Sequence, residues 1–495
     1  MRREIPDKWF ILPILILAAY FLLRLINQSQ MIWIFPTDAF ANDFSGHIVK
    51  LFLLDKYGYL SNVPEWYNGA YTMLKFYPPV WYLFSLPFLW VFQKAELAVF
   101  ASMVFMYLLG FIFLSFLGKY KGFSMAKRIA FFLFFFANPI SMGYFMRLGK
   151  MPEMLAWVFF ILFFTLLMIY LNKKLDWKFK ILFILLYTLI FYIHTLVFIA
   201  ASLLILGFWL SRDSWKEKFS IIFQSLIVLI LTSFFWYPLI AVLKNTNIAS
   251  WAPLKWLILP GNLSDKIASF IIPPIFWIIS YFYLKGKNKK ERIFFSIPII
   301  FSVLIFTRIG VFIPFFNRAS PDTYHLLMIL ISSFMFLSLR LDDIPKRFRK
   351  PFPYILTVLI IISVIISVGM TPFFKEHTQI VEETFQLFEL AEGPLLVVKG
   401  DTEIHPASVL SYATLYYGIS TPIGWEPINV TEEFWDKTLL PERLIMQKKV
   451  KDLSFALKSA NVKSIIAYDN DCETLKESDL MEVKTLKRAC LYTLK

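Results

Sequence analysis

The chain has 495 residues, of which 58% are hydrophobic, 19% aromatic and 17% charged. Water-soluble domains run at roughly 45–50% apolar and about 25% charged, so this composition excludes an ordinary soluble enzyme. Residues 1–370 carry 36 Lys/Arg against 16 Asp/Glu and residues 371–495 carry 14 against 19, which reads as a basic membrane body followed by a mildly acidic soluble domain.

A helix needs about 20 apolar residues to cross the hydrocarbon core. Eleven stretches meet or approach that length: 9–27, 96–117, 129–146, 153–171, 180–192, 195–210, 219–240, 267–284, 293–313, 323–339 and 352–370. The fold class is therefore a polytopic α-helical membrane protein with about eleven spans, two of which (180–192 and 195–210) also read as one kinked helix. The first stretch is too long, and followed by too many others, to be a cleaved signal peptide. Phe76–Phe92 is read as lying along the outer surface. With that choice the inner segments hold 24 Lys/Arg and the outer ones 11, as the positive-inside rule requires. The N-terminus is then on the inner side of the cytoplasmic membrane, with the 28–95 loop and the tail outside.

The first outer loop, 28–95, is long, apolar and aromatic, unlike a disordered linker. Asp43, His47 and Lys50 recur at i, i+4 and i+7, one face of a helix starting near Asp43, with Phe44, Ile48, Leu51 and Phe52 opposite. That pattern predicts an amphipathic helix lying in the interface. Asp43 suits either an N-cap or a reactive carboxylate. Glu65 and Trp66 follow in a turn, and Tyr77-Pro78-Pro79 opens a second interfacial helix. Further polar residues fall at the same outer level: Asp38, Arg147, Lys150, Glu153, His194, Arg318 and His325. Each also has a plain structural role as a helix-end residue. Ion and proton carriers instead place ionisable groups at mid-depth.

These residues together resemble a known group. An Asp after the first span, His four residues on, a Trp-containing turn, Phe76-Tyr-Pro-Pro79 and the Arg147-Leu-Gly-Lys-Met-Pro-Glu153 turn are similar to GT-C superfamily glycosyltransferases. The closest resemblance is to the archaeal and bacterial membrane proteins known as "6-pyruvoyl-tetrahydropterin synthase related", over residues 1–370. A more distant one is to oligosaccharyltransferase catalytic subunits, whose Trp-Trp-Asp acceptor motif is missing from the tail. The resemblance implies transfer of a sugar from a polyprenyl (dolichyl) phosphate donor to a glycan, lipid or protein acceptor at the outer face, with inversion. It implies Asp43 as general base with Asp38 second, and Arg147, Lys150 and Arg318 on the donor phosphate. Substrate-orienting roles fall to His47, Glu65, Trp66, Tyr77, Glu153, His194 and His325. A divalent cation, Mg or Mn, on Asp43 and His47 is an open alternative, since no zinc-type ligand cluster is present. A phosphate leaving group needs charge stabilisation rather than protonation, so a single carboxylate base suffices. The rival readings are a flippase for the lipid-linked sugar and a non-catalytic cell-envelope scaffold. Neither a Walker loop nor Gly-x-Gly-x-x-Gly occurs, and no nucleic-acid motif is present. Abundant Ile, Phe and Lys suit a thermophilic archaeon.

In the tail, Glu376–Leu390 and Pro441–Ala460 have helical periodicity, and Pro394–Lys399 and Ser464–Asp469 read as buried strands. A small extracytoplasmic α/β domain over 371–495 is expected, with Gly418–Pro427 as a contact loop. Cys472 and Cys490 lie in it and suit a disulfide.

Overall fold

The computed structural model describes residues 4–37, 42–245, 263–307, 321–425 and 431–495, and these form two compact units. The first comprises residues 1–28, 103–234 and 251–373; the second comprises 29–102, 235–250 and 374–495.

The first unit is helical. Over the described residues, each of the eleven apolar stretches is mainly helix, one of them in two pieces. Five single helices among the described residues have both the length and the apolarity of a full span: Lys8–Ile32, Ala95–Tyr120, Met151–Tyr170, Trp215–Pro238 and Phe352–Met370. A bent pair, Met125–Phe136 with Pro139–Arg147, makes a sixth. The protein is thus a multi-pass membrane protein. The two kinds of apolar helix separate by burial. In Met151–Tyr170 nearly every side chain is enclosed. In Phe352–Met370 only Leu356 and Ser367 are, as a helix facing lipid requires.

Two breaks in this unit have local causes. Pro139 forbids helical backbone at Asn138, which is extended and caps the next turn by accepting from the Ser141 N–H at 3.0 Å. The chain bends there by 53°. It then runs as a π-turn over Met142–Arg147, the Leu148 N–H donating five residues back to the Gly143 carbonyl at 2.8 Å. The second break is His194. Its backbone is extended (φ −161°, ψ 120°) and it separates Trp177–Ile193 from Thr195–Leu210 as two helices.

In the second unit, helix Asn42–Tyr57 starts one residue before Asp43. Its interior is more deeply placed than the sequence pattern predicts. Phe44, Ile48, Val49 and Leu51 are buried, and so are His47 and Lys50 on the polar face. A second helix, Pro406–Tyr417, packs on this one, and Tyr77 and Trp81 close over His47 and Lys50. The hairpin β1 (Asn62–Val63) and β2 (Tyr71–Thr72) is antiparallel, and Pro79 opens Val80–Phe92. At 13 residues that helix is about 20 Å long, short of a span.

The tail forms a four-stranded sheet in the order β3 (Leu395–Val397), β4 (Ser464–Tyr468), β6 (Ala489–Thr493), β5 (Met481–Thr485). β3 and β4 are parallel and the other pairs antiparallel. Alternate residues serve two cores. Val397, Ile466 and Leu491 face the helices Gln379–Phe388 and Pro406–Tyr417. Leu396, Ile465 and Cys490 face Leu453–Ser459 and Leu475. Burial on both faces explains why β3 and β4 read as continuous apolar runs. The expected helix 441–460 is instead two. Thr431 caps a helix over Glu432–Met446 that contains Pro441, and Lys448, at φ 56°, turns the chain before Leu453–Ser459. Cys472 and Cys490 are disulfide-bonded and buried in the second core.

Candidate functional site

The predicted site residues fall into two sets, one in each unit, and Asp38 and Arg318 lie outside the described residues.

The set in the second unit is built around helix Asn42–Tyr57. Asp43 stands in its first turn, half-buried. One turn on, the His47 ring sits among Trp81, Tyr77 and Tyr82, its Nδ1 2.8 Å from the Tyr82 hydroxyl. Lys50 is buried with its ammonium 4.6 Å above the Tyr77 ring, a cation–π contact that offsets its desolvation. Glu65 is committed elsewhere: Lys56 Nζ and the Tyr57 hydroxyl both donate to its Oε1, at 2.7 and 2.5 Å. The Glu65 carboxylate raises the Lys56 ammonium pKa through that bond. Trp66 is a packing residue, edge-on to Tyr71 and set against Gly424.

Residues from the tail join this set. A Cβ at Gly46 would lie 2.6 Å from the Trp425 ring, so only glycine admits the indole there. Ser45 Oγ donates to Ser408 Oγ at 3.0 Å, and Ser408 Oγ is 3.1 Å from His405 Nδ1. The His405 ring stacks on Trp425 (5.6 Å, 21°), whose indole N–H donates to Ser411 Oγ at 2.8 Å. Burial holds the His405 pKa below its usual value, Lys399 adds to that, and the charge of Asp43 opposes both. The loop before Trp425 pairs with the Glu65 turn: Thr421 N–H donates to the Glu65 carbonyl at 2.7 Å, and Tyr67 Oη donates to the Gly424 carbonyl at 2.7 Å. Of these residues, only Trp425 and its loop carried a sequence signal.

Asp43 and His47 gather no third ligand, since no group of three His, Cys, Asp or Glu side chains converges among the described residues.

The set in the first unit centres on Glu153 and Arg147, both buried. Thr323 donates to Glu153 Oε1 at 2.6 Å, and His194 Nε2 lies 3.7 Å from Glu153 Oε2. Tyr144 also bonds this carboxylate, and Lys150 and Tyr324 lie within electrostatic reach of it. His325 is fully buried one residue further along the same helix. The π-turn and the His194 break are therefore what bring Tyr144, Glu153 and His194 together. Arg147 ends the π-turn, which packs against the helix carrying Arg24. Arg24 is 2% exposed; its Nη1 donates to the Thr371 carbonyl at 2.8 Å, and its guanidinium lies 4.7 Å over the Phe373 ring. Arg24 has no carboxylate within ion-pair distance among the described residues. Its signal in the sequence was an arginine inside an apolar span, which is costly enough to mark function.

Two solved folds match closely in architecture. An arabinofuranosyltransferase from mycobacteria, AftD, aligns over 100% of this chain with a TM-score of 0.59 and 14% identity. The oligosaccharyltransferase of Archaeoglobus fulgidus, in a complex with Zn and sulfate, aligns over 91% with a TM-score of 0.57 and 10% identity. Both are GT-C superfamily membrane glycosyltransferases. The chain has the GT-C fold. It spans 42% of the length of AftD and 68% of that of the oligosaccharyltransferase. No family model and no curated protein matches the sequence. The GT-C resemblance seen in the Asp43-to-Pro79 and Arg147-to-Glu153 motifs is thus shown at the level of fold.

Proposed function

We propose that this protein is a membrane glycosyltransferase that moves a sugar from a polyprenyl-phosphate donor to an acceptor hydroxyl. The observation that carries the proposal is Arg24, buried inside an apolar span on a helix that packs against the turn ending in Arg147, itself buried. A buried guanidinium with no carboxylate partner among the described residues is costly and calls for an anion, and a lipid phosphate supplies one. Lys150 and Arg318 are assigned to the same phosphate.

In the proposed step the acceptor O–H gives its proton to the Asp43 carboxylate, and the acceptor oxygen bonds to the anomeric carbon. The bond from that carbon to the phosphate oxygen breaks, and its electron pair leaves on the lipid phosphate, which the arginines stabilise. Single displacement inverts the anomeric centre. Asp43 then returns its proton to water, with Asp38 as second candidate base. His47 on the same helix and the Tyr77 ring beside it orient the acceptor, whereas Glu153, His194 and His325 keep the phosphate side polar and rigid. The basic inner segments and the Cys472–Cys490 disulfide support an outer-facing tail over 371–495 in the cytoplasmic membrane.

The test is binding of farnesyl phosphate to the detergent-solubilised full chain, followed by native mass spectrometry. Arg24→Met and Arg147→Met should each weaken binding more than tenfold, whereas Asp43→Asn should bind normally and fail to transfer. Unchanged binding in both arginine variants would refute the assignment.

A further inference from the structure

We infer that the C-terminal domain is a fixed part of the reaction site, and that its His405 is a positioning residue for Asp43. The inference rests on the reading of Asp43 as general base. Three contacts tie the domain to the helix that carries Asp43. The Trp425 ring fills the space that a side chain at residue 46 would occupy. Ser45, two residues from Asp43, bonds Ser408 in a fully buried pair. Ser408 in turn meets His405 Nδ1 at 3.1 Å, while Trp425 stacks on the other side of the imidazole.

These contacts leave the imidazole little freedom. One edge is bonded, one face is covered, and Trp425 is itself held by Ser411. Ser408 also bonds Ser45, two residues from Asp43, so the imidazole and the first turn of the Asp43 helix are held through one buried hydroxyl pair. A base must be held near its productive geometry, and a misplacement of about 1 Å can cost on the order of 10²-fold in rate. Sequence distance hides the arrangement, because residues 43 and 405 belong to opposite ends of the chain. The contacts also argue against a lid. A domain that opened at each turnover would have to break the Ser45–Ser408 bond and withdraw Trp425 from Gly46.

The experiment uses the full chain in vesicles, with farnesyl phosphate carrying one radiolabelled pentose or hexose as donor probe and membrane glycolipids as acceptor. His405→Ala should lower kcat about 10–100-fold with KM within twofold. His405→Asn, whose amide oxygen stands where Nδ1 meets Ser408, should recover part of the loss. A second variant, Ser45→Cys/Ser408→Cys, reads the clamp without reference to turnover. The chain's own two cysteines are already paired, so the new pair should oxidise to a disulfide, and the oxidised form should transfer as fast as the reduced form of the same variant. If His405→Ala transfers at the wild-type rate while Asp43→Asn is inactive, the role of His405 falls and the general base stands. If Asp43→Asn is active, both fall. Failure of the cysteine pair to oxidise, or loss of transfer on oxidation, overturns the fixed clamp. Should His405→Ala not fold, the asparagine variant and the cysteine pair decide the matter.

Discussion

Replacing Gly46 with alanine tests the packing on which the second unit depends. The new Cβ would stand 2.6 Å from Trp425 Cδ2 and 2.7 Å from Cε2, where ordinary contact begins at 3.4 Å. The indole must therefore retreat by about 0.8 Å. Such a shift would stretch its 2.8 Å bond to Ser411 to about 3.6 Å, past hydrogen-bond range. Overpacking costs about 1–3 kcal/mol and the lost bond about 1 kcal/mol, while alanine returns about 1 kcal/mol of helix propensity. The net loss is about 1–3 kcal/mol. For a unit of this size that lowers the melting temperature by roughly 2–10 °C, measurable by differential scanning fluorimetry in detergent. Gly369 is the control. It is also helical, and nothing lies within 4 Å of a Cβ there, so Gly369→Ala should melt at or above the wild-type temperature. The reasoning is refuted if Gly46→Ala melts no lower than Gly369→Ala.

Glu153→Ala should destabilise the first unit by about 1–3 kcal/mol, because it strands the buried Thr323 hydroxyl, whereas Glu153→Gln, which keeps an acceptor for Thr323, should cost less; thermal melts of the two variants check the order. Glu65→Gln should lower the Lys56 pKa toward its ordinary value, read by NMR of labelled lysine side chains, and an unmoved Lys56 would show that the pair is not formed. Burial depresses the His405 pKa, so between the folded value and the usual value of about 6.5 the unfolded chain binds more protons. Its contribution to stability is complete above about pH 6.5 and is lost as pH falls through that range. Melts from pH 5 to 7.5 should show a rise for wild type that is flatter in His405→Asn, and equal slopes would contradict the assignment.

Local pattern made much of this protein readable. The eleven helical stretches follow from run length, the start of the Asn42–Tyr57 helix from the i, i+4, i+7 polar residues, and the onset of Val80–Phe92 from Pro78-Pro79. The buried strands β3 and β4 were visible as apolar runs, whereas the exposed edge strand β5 had no such signature. The full enclosure of His47 and Lys50 was not legible, because the rings that close over them, Tyr77, Trp81 and Tyr82, read as the start of a separate helix. Helix 441–460 was misread for a local reason: Pro441 resembles a helix start, but Thr431 caps the helix ten residues earlier. In the site, Glu153 was recognised by its place after Pro152, yet its partners Thr323 and His194 come from other helices. Arg24 sits among neighbours that all read as span. Its meaning comes from Arg147, brought beside it by the π-turn.

The central claim is that Asp43 takes the acceptor proton during transfer from a lipid phosphate. The direct measurement is release of radiolabelled sugar from a farnesyl-phosphate donor by Asp43→Asn in vesicles, alone and combined with Asp38→Asn. Loss of a general base should lower kcat by about 10²–10⁴-fold while farnesyl phosphate binding stays within twofold of wild type. Transfer by the double variant at the wild-type rate would contradict the account.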